Sequence, residues 1–447
     1  WITDAEYHFK EKKVSPIPMY FKKRLKLSKQ EIKRVRLYST ALGIYELKIN
    51  NKKIGKDYFA PGFTSYKNQI QYQVYDITED ITDDNELLAI VSGGWAVGSF
   101  IFTRKNRITA KRQAFLCEII IEYKNGNIEV IGTDDTWEVA ENGNYKMADF
   151  YDGETYDATI DLNKIQWRKA KKEKLRISPK LIATYGPLTR AHETFKPVNI
   201  YKAKSGTIVY DFGQNFAGVI NAVINGKKGQ TIVFKHAEVL LDGELFTLPL
   251  RSAKATATYI CKEGNQTYSP CFTYMGFRYV GVMGIEEKDL ELSAFALYSD
   301  IPVIGNLKCS NDMLNKLQSN IVWSGKSNFV DIPTDCPQRD ERMGWTGDVA
   351  IFASTACFNF DMRRFLDKWL KDLRSEQTRG GGIPNAIPAH GFGFPTTMPK
   401  KAVAFWGDAC IFVPWALYLA YGDLFILKKM YPVMKKYIKA CKFWAGL

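Results

Sequence analysis

The sequence predicts a multidomain β plus α protein, with two β-sandwich-type units followed by a helical region. Three observations carry this. Up to about residue 300 apolar residues alternate with polar ones, as in Tyr45, Leu47 and Ile49, the pattern of half-buried strands. Turn-forming pairs punctuate these runs: Asn50-Asn51, Asn125-Gly126, Asn142-Gly143, Asn225-Gly226 and Asp242-Gly243. After Pro302 the apolar spacing changes from two to three and four, the period of a helix. A chain of 447 residues has room for roughly two to four domains with large cores.

In chain order, the first β unit spans residues 1–180. Gly93, Gly94 and Gly98 flank Trp95 in a glycine-rich loop, which lacks the Lys-Ser/Thr pair of a phosphate cradle. The basic run 169–180 (KAKKEKLRISPK) reads as a solvated linker. The second β unit spans 181–300, with strands at 207–210, 219–224, 231–235 and 277–282. Residues 211–218 read as a tight loop between two of them. His236 and Glu238, two apart, share a face. With no third ligand nearby, a structural hydrogen-bonded pair is favoured over a metal or catalytic one.

The helical region spans 301–447. Ser310 is placed to cap a helix with Met313, Leu314, Leu317 and Ile321 on one face. Asp361 is placed to cap another, with Phe365, Leu366, Trp369, Leu370 and Leu373 as its apolar stripe. Its acids, Asp361, Asp367, Asp372 and Glu376, fall on the cap or the polar side, where solvated charges are expected. The Gly/Pro-rich stretch 379–400 is too long for a simple connector and reads as a binding wall. An apolar helix follows over about 408–421, stopped by Gly422, and then a last helical stretch interrupted by Pro432. Of about five helices, several are apolar over much of their circumference and need partners.

Composition excludes some functions. The net charge of +14 is dispersed, and no nucleic-acid module surrounds the densest basic run, so no nucleic-acid partner is expected. The longest apolar run, 409–421, is too short to span a bilayer and contains Pro414, so no membrane association is expected. Eight cysteines show neither a CxxC pair nor Cys/His ligand spacing, which predicts no metal site and a reducing, cytoplasmic setting. A secreted form stays open because the chain starts at Trp1 rather than Met.

One stretch concentrates acid in this basic chain. Residues 331–348 hold Asp331, Asp335, Asp340, Glu341 and Asp348 against only Arg339 and Arg342. Pro333 and Pro337 make the segment irregular, and an apolar helical run begins near Asp348. Carboxylates beside arginines and tryptophans suit glycoside hydrolysis, which needs a proton donor, acceptors for sugar hydroxyls and a flat apolar face. Crowded carboxyls raise one another's pKa and keep one protonated near neutrality. On spacing alone Glu341 is no better than Asp340 as that donor. The competing reading is a surface ion-pair cluster of Arg339, Glu341 and Arg342.

PTDCPQRDERMGWTGD (333–348) resembles the signature of the bacterial α-L-rhamnosidases, glycoside hydrolase family 78. Further blocks follow in the family's order: GIYELKINNKKIGKDYFAPGFTSY (43–66), QYQVYDIT (71–78), DGETYDA (152–158), DFGQNFAGV (211–219), HAEVL (236–240), FTYMGFRYV (272–280), GGIPNAIP (381–388) and AFWGDA (404–409). Met275 stands where many members carry histidine. The resemblance implies that 301–447 is the incomplete first part of an (α/α)6 six-hairpin barrel, preceded by a β-sandwich and a concanavalin-like sandwich. It implies an inverting hydrolase that releases terminal α-L-rhamnose, with no cofactor and with rhamnosides as partners; a homodimer is left open. On the motif, Glu341 matches the general acid, and Asp335, Arg339, Trp345, Asp348, Trp406 and Asp408 match residues that hold the sugar. The general base, a downstream carboxylate in the family, matches no residue here, so the 447 residues are expected to be an inactive N-terminal portion. The alternative is a non-catalytic carbohydrate-binding or scaffold protein that uses its β units.

Overall fold

In the computed structural model, which describes residues 1–446 apart from 8, 176 and 390–401, the alternation of the first unit becomes two sheets facing one core. In a seven-stranded sheet, Ile32–Leu42 pairs with Ala114–Tyr123 on one side and Gln69–Asp76 on the other. In the six-stranded sheet opposite, Met19–Lys26 and Ile44–Ile49 flank Asp84–Ser92. Val35, Leu37, Phe115 and Ile119 from the first interleave with Phe21, Leu47, Ala89 and Val139 from the second. The basic run is no free linker. Arg168–Lys169 and Lys171–Lys172 add short edge strands, one to each sheet, with Ala170 buried between them. Lysines on a short edge strand discourage further pairing there, which explains both the charge and the strand. The glycine-rich loop forms a single helical turn, Gly94–Val97, around the buried Trp95, which stacks on Phe63.

The second unit is built on an eleven-stranded sheet whose longest member is Ile208–Gly226, paired with Met275–Met283 and Leu290–Ser299. The stretch 211–218 lies within this 19-residue strand rather than between two. Its glycines serve a break in register between Asp211 and Phe216, a bulge that lets one strand serve where two were expected. The expected turn at Asp242-Gly243 is present, both residues at positive φ, between Val239–Leu241 and Glu244–Phe246. Asp57–Tyr58, Tyr145–Asp149 and Gly153–Asp157 also join this sheet, so strands from early in the chain complete it. His236 and Glu238 are not a bonded pair. The strand Thr231–Ala237 ends between them; the His236 ring Nδ1 lies 2.9 Å from Ala255 O, while Glu238 accepts from Asn215.

Five long helices follow among the described residues: α1 (Asp312–Asn328), α2 (Thr346–Asn359), α3 (Arg363–Glu376), α4 (Ala409–Tyr421) and α5 (Leu424–Trp444). Asn311, not Ser310, caps α1, accepting from Met313 N and Leu314 N. Met313, Leu314 and Leu317 point outward on α1, where they are about half exposed or more. On α3 the expected stripe is buried throughout, but Asp372 is buried as well. Gly422, at φ +68°, ends α4 as expected, whereas α5 continues through Pro432. No described helix is long and apolar enough to cross a membrane.

Candidate active site

The acidic loop joins α1 to α2 and is held from below by two of its own charged residues. Asp331, buried at φ +66°, accepts from the Phe63 backbone N–H and from Lys368 Nζ of α3 at 2.8 Å. Arg342, also buried, donates through Nη1 to Phe150 O (2.7 Å) and Tyr274 O (2.6 Å), and through Nε to Arg339 O. Its guanidinium lies 4.6 Å from the centre of the Tyr274 ring. Asp331 and Arg342 are therefore structural, and Arg342 is not a member of a surface ion-pair cluster. Backbone contact is tight where the loop turns into α2: a Cβ on Gly344 would stand 2.2 Å from Ile387 O.

This footing presents Asp335, Arg339, Glu341 and Trp345 together. Glu341 Oε2 accepts from Arg339 Nε at 3.1 Å and from Arg251 Nη2 at 2.8 Å, while its Oε1 accepts from Trp345 Nε1 at 3.1 Å. Tyr151 OH donates to Glu341 O, fixing the backbone behind the carboxylate. Asp335 Oδ1 accepts from Met343 N at 2.9 Å, and its other oxygen lies 3.6 Å from Arg339 Nη2. Burial and the neighbouring Glu341 carboxylate push the Asp335 pKa up to about 6. Asp340, indistinguishable from Glu341 by spacing, is buried against Arg251 and Ser252.

The remaining expected residues lie to one side. Asp348 sits in the first turn of α2. It opens to solvent, yet partial desolvation and the Glu341 charge raise its pKa. Gly347, one residue earlier, leaves room for Phe405 and Trp406: an added Cβ would lie 3.0 Å from the first and 3.3 Å from the second. Trp406 Nε1 is buried with no partner among the described residues. Asp408 is turned inward, accepting from Phe405 N at 2.9 Å and lying 2.8 Å from Tyr437 OH, so its carboxylate braces the Trp406 turn. A cavity of about 300 Å³ runs between α1 and α2, lined by Asp335 and Asp348 with Phe329, Pro333 and Phe352. In the Gly/Pro-rich stretch expected to form a binding wall, residues 390–400 lie outside the described residues.

Sequence reasoning missed Arg251 and Ser252, which reach the loop from the second β unit, and Tyr151 from the first. No local pattern marks them. Asp335, Cys336 and Glu341 present three ligand atoms within 4.8 Å of one another. The Arg339 guanidinium, 3.1 Å from Glu341, already supplies the positive charge a cation would bring.

Three family sequence models match consecutive parts of the chain. They are the α-L-rhamnosidase N-terminal domain over 30–202, the bacterial α-L-rhamnosidase concanavalin-like domain over 201–298 and the bacterial α-L-rhamnosidase six-hairpin glycosidase domain over 302–443. The chain belongs to the bacterial α-L-rhamnosidase family. An α-L-rhamnosidase of Streptomyces avermitilis is 37% identical over 427 residues, which are 93% of this chain and 41% of that protein. One of Formosa agariphila is 34% identical over 441 residues, 94% of this chain and 46% of that protein. The chain thus spans less than half the length of these curated relatives. Among solved structures, the S. avermitilis α-L-rhamnosidase in complex with L-rhamnose superposes with a TM-score of 0.89 at 36% identity, covering 95% of this chain and 42% of that one. The Aspergillus terreus α-L-rhamnosidase gives 0.90 at 35% identity, covering 98% and 51%. The helices of this chain are therefore those of a six-hairpin glycosidase domain preceded by β domains, the architecture expected from the motif.

Proposed function

We propose that these residues form the acid side of an α-L-rhamnosidase active site, in which terminal α-L-rhamnose is released from a rhamnoside with inversion at the anomeric carbon. The observation that carries this reading is the meeting of Glu341 with Arg339 and Trp345 beside Asp335. Glu341 gives its proton to the oxygen leaving the sugar. Asp335 and Asp348 accept from neighbouring hydroxyls, and Trp345 and Trp406 offer an apolar face to the C6 methyl. Inversion also needs a second carboxylate roughly 6.5–9.5 Å across the ring to activate water. No described acid is assigned that place, so the 447 residues alone should leave an aryl α-L-rhamnoside unhydrolysed. Measurable turnover by the purified piece would remove this part of the reading.

In the full-length protein, Glu341→Gln is expected to lower turnover of rhamnosides with poor leaving groups by about 10²–10⁴-fold, and of activated aryl rhamnosides far less. Undiminished turnover of a poor-leaving-group rhamnoside would overturn the assignment. A second reading makes Asp335 the donor, because burial and the neighbouring Glu341 charge raise its pKa to about 6 and keep it protonated to higher pH than an ordinary carboxyl. It predicts that the leaving-group dependence follows Asp335→Asn instead. Calorimetric titration with L-rhamnose separates both from a purely carbohydrate-binding role. Asp335→Ala and Asp348→Ala should abolish binding in a pocket here, and leave it intact if the β units bind the sugar.

A further inference from the structure

The loop of the second β unit that carries Arg251 is fastened to the acidic segment through the first unit. A short turn, Leu248–Leu250, ends at Arg251, whose backbone stands at φ +56°. That region favours glycine, and other residues occupy it only where their surroundings hold them. Leu250, Ala253 and Ala255 are buried around it. Ala255 N donates to Tyr151 O at 2.9 Å, and Tyr151 OH donates to Glu341 O at 2.8 Å, so one tyrosine ties this loop to the backbone of Glu341. Arg251 divides its guanidinium between two carboxylates. Nε pairs with the buried Asp340 at 2.7 Å, and Nη2 donates to Glu341 Oε2 at 2.8 Å. Ser252 Oγ donates to the other oxygen of Asp340. Asp340 thus aims the guanidinium at its neighbour.

A carboxylate offers about four lone-pair positions, two on each oxygen. On Glu341 Oε2 both are taken, by Arg251 Nη2 and by Arg339 Nε at 3.1 Å. Oε1 accepts only from Trp345 Nε1 among the described residues, which leaves one position open. A proton needs a lone pair, and bonds from two guanidiniums keep negative charge on Oε2. We propose that Arg251 is a positioning residue for the proton donor: it closes Oε2 to the proton, so that Glu341 carries and delivers it from Oε1, on the Trp345 side. In the transfer, Oε1 gives its proton to the oxygen leaving the sugar, and the electron pair of the breaking bond departs with that oxygen. The anion that forms on Glu341 meets donors already in place. The charged and titratable groups facing Glu341 are Arg251 from the second β unit, Arg339, Asp335 and Cys336 from its own loop and Asp348 from α2, with Asp340 behind Arg251. Of these, only Arg251 lies outside the segment 335–348, so it can be altered without touching the motif. The inference rests on the reading of Glu341 as proton donor.

The test is the pH dependence of the full-length protein carrying Arg251→Gln or Arg251→Lys, on a rhamnoside with a poor leaving group and on an activated aryl rhamnoside. Removing a cation lets the neighbouring acid keep its proton to higher pH. In Arg251→Gln the alkaline limb of kcat/KM should therefore move up by about 0.5–1 pH unit. An opened position on Oε2 lets the proton sit on the wrong oxygen. Turnover of the poor-leaving-group rhamnoside should fall about tenfold, and that of the aryl rhamnoside should hardly change. Arg251→Lys keeps the cation beside Asp340, which protects the fold. Its limb should stay with the parent's, while an ammonium, unable to fork between two carboxylates, loses part of the same turnover selectively. An unmoved limb in Arg251→Gln would overturn the inference. So would an equal loss on both substrates in either variant, the outcome of a merely structural loop. If Glu341→Gln itself leaves the poor-leaving-group rhamnoside turning over as before, the proton-donor reading fails first, and this inference with it.

Discussion

Arg342 illustrates how one side chain can be misread from its neighbours in sequence. Between Glu341 and Met343 it looks like a surface charge, yet the guanidinium is buried and donates to carbonyls of Phe150, Tyr274, Gln338 and Arg339. Truncation leaves those carbonyls unpaired beneath the loop. Arg342→Ala is expected to cost about 3 kcal/mol in chemical denaturation, with Arg342→Lys intermediate because an ammonium cannot reproduce the planar fork. An unchanged midpoint for the alanine variant would refute this role. The residues proposed to hold the sugar lie in two short segments, 335–348 and 406–408, so a local motif could single them out. Arg251 could not be found so, since it meets Glu341 across 90 positions and only the docking of a β unit brings them together.

At the scale of elements, α3 is where the helical period was right and the charge reading failed. Its apolar stripe is buried as expected, but Asp372 on the polar side is covered too, because Ser65 and Gln69 of the first unit dock on it. Asp372 Oδ1 accepts from Ser65 N at 3.0 Å and from Gln69 Nε2 at 2.7 Å. Burial, the larger effect, outweighs these bonds and pushes its pKa from 3.8 up to about 6. A carboxyl whose folded pKa is raised favours folding when protonated. Its stabilisation is full below pH 3.8 and lost as pH rises through about 6, a change of roughly 3 kcal/mol. Urea midpoints at pH 4 and pH 7 should therefore differ more in the parent than in Asp372→Asn, whose carbonyl oxygen keeps both bonds. Glu154 and Glu376, each raised by burial to about 7, act in the same direction and leave a residual slope. The linker and the 211–218 bulge were misread for a related reason. Edge pairing and a break in register depend on a partner strand that local composition does not reveal.

Across the whole molecule, the alternation and the helical period marked the β and α parts, but they did not reveal how the parts share strands and loops. Nor did they orient α1, whose apolar positions are spaced for burial yet face outward. Met313 on α1, Ile351 and Phe358 on α2, Leu419 on α4 and Phe425 and Phe443 on α5 are each more than half exposed. Large apolar side chains left exposed in this number favour binding of hydrophobic dyes and of other copies of the chain. The 447-residue chain should enhance ANS fluorescence in its folded state and show concentration-dependent mass in light scattering. A dye-silent monomer at all concentrations would contradict this. The Arg342 anchor also bears on engineering: someone seeking a smaller biocatalyst would be tempted to trim away the sandwiches and keep the helices. Because Phe150 and Tyr274 lie on the trimmed side, such a miniature would keep Asp335, Glu341 and Trp345 while losing the floor that aims them.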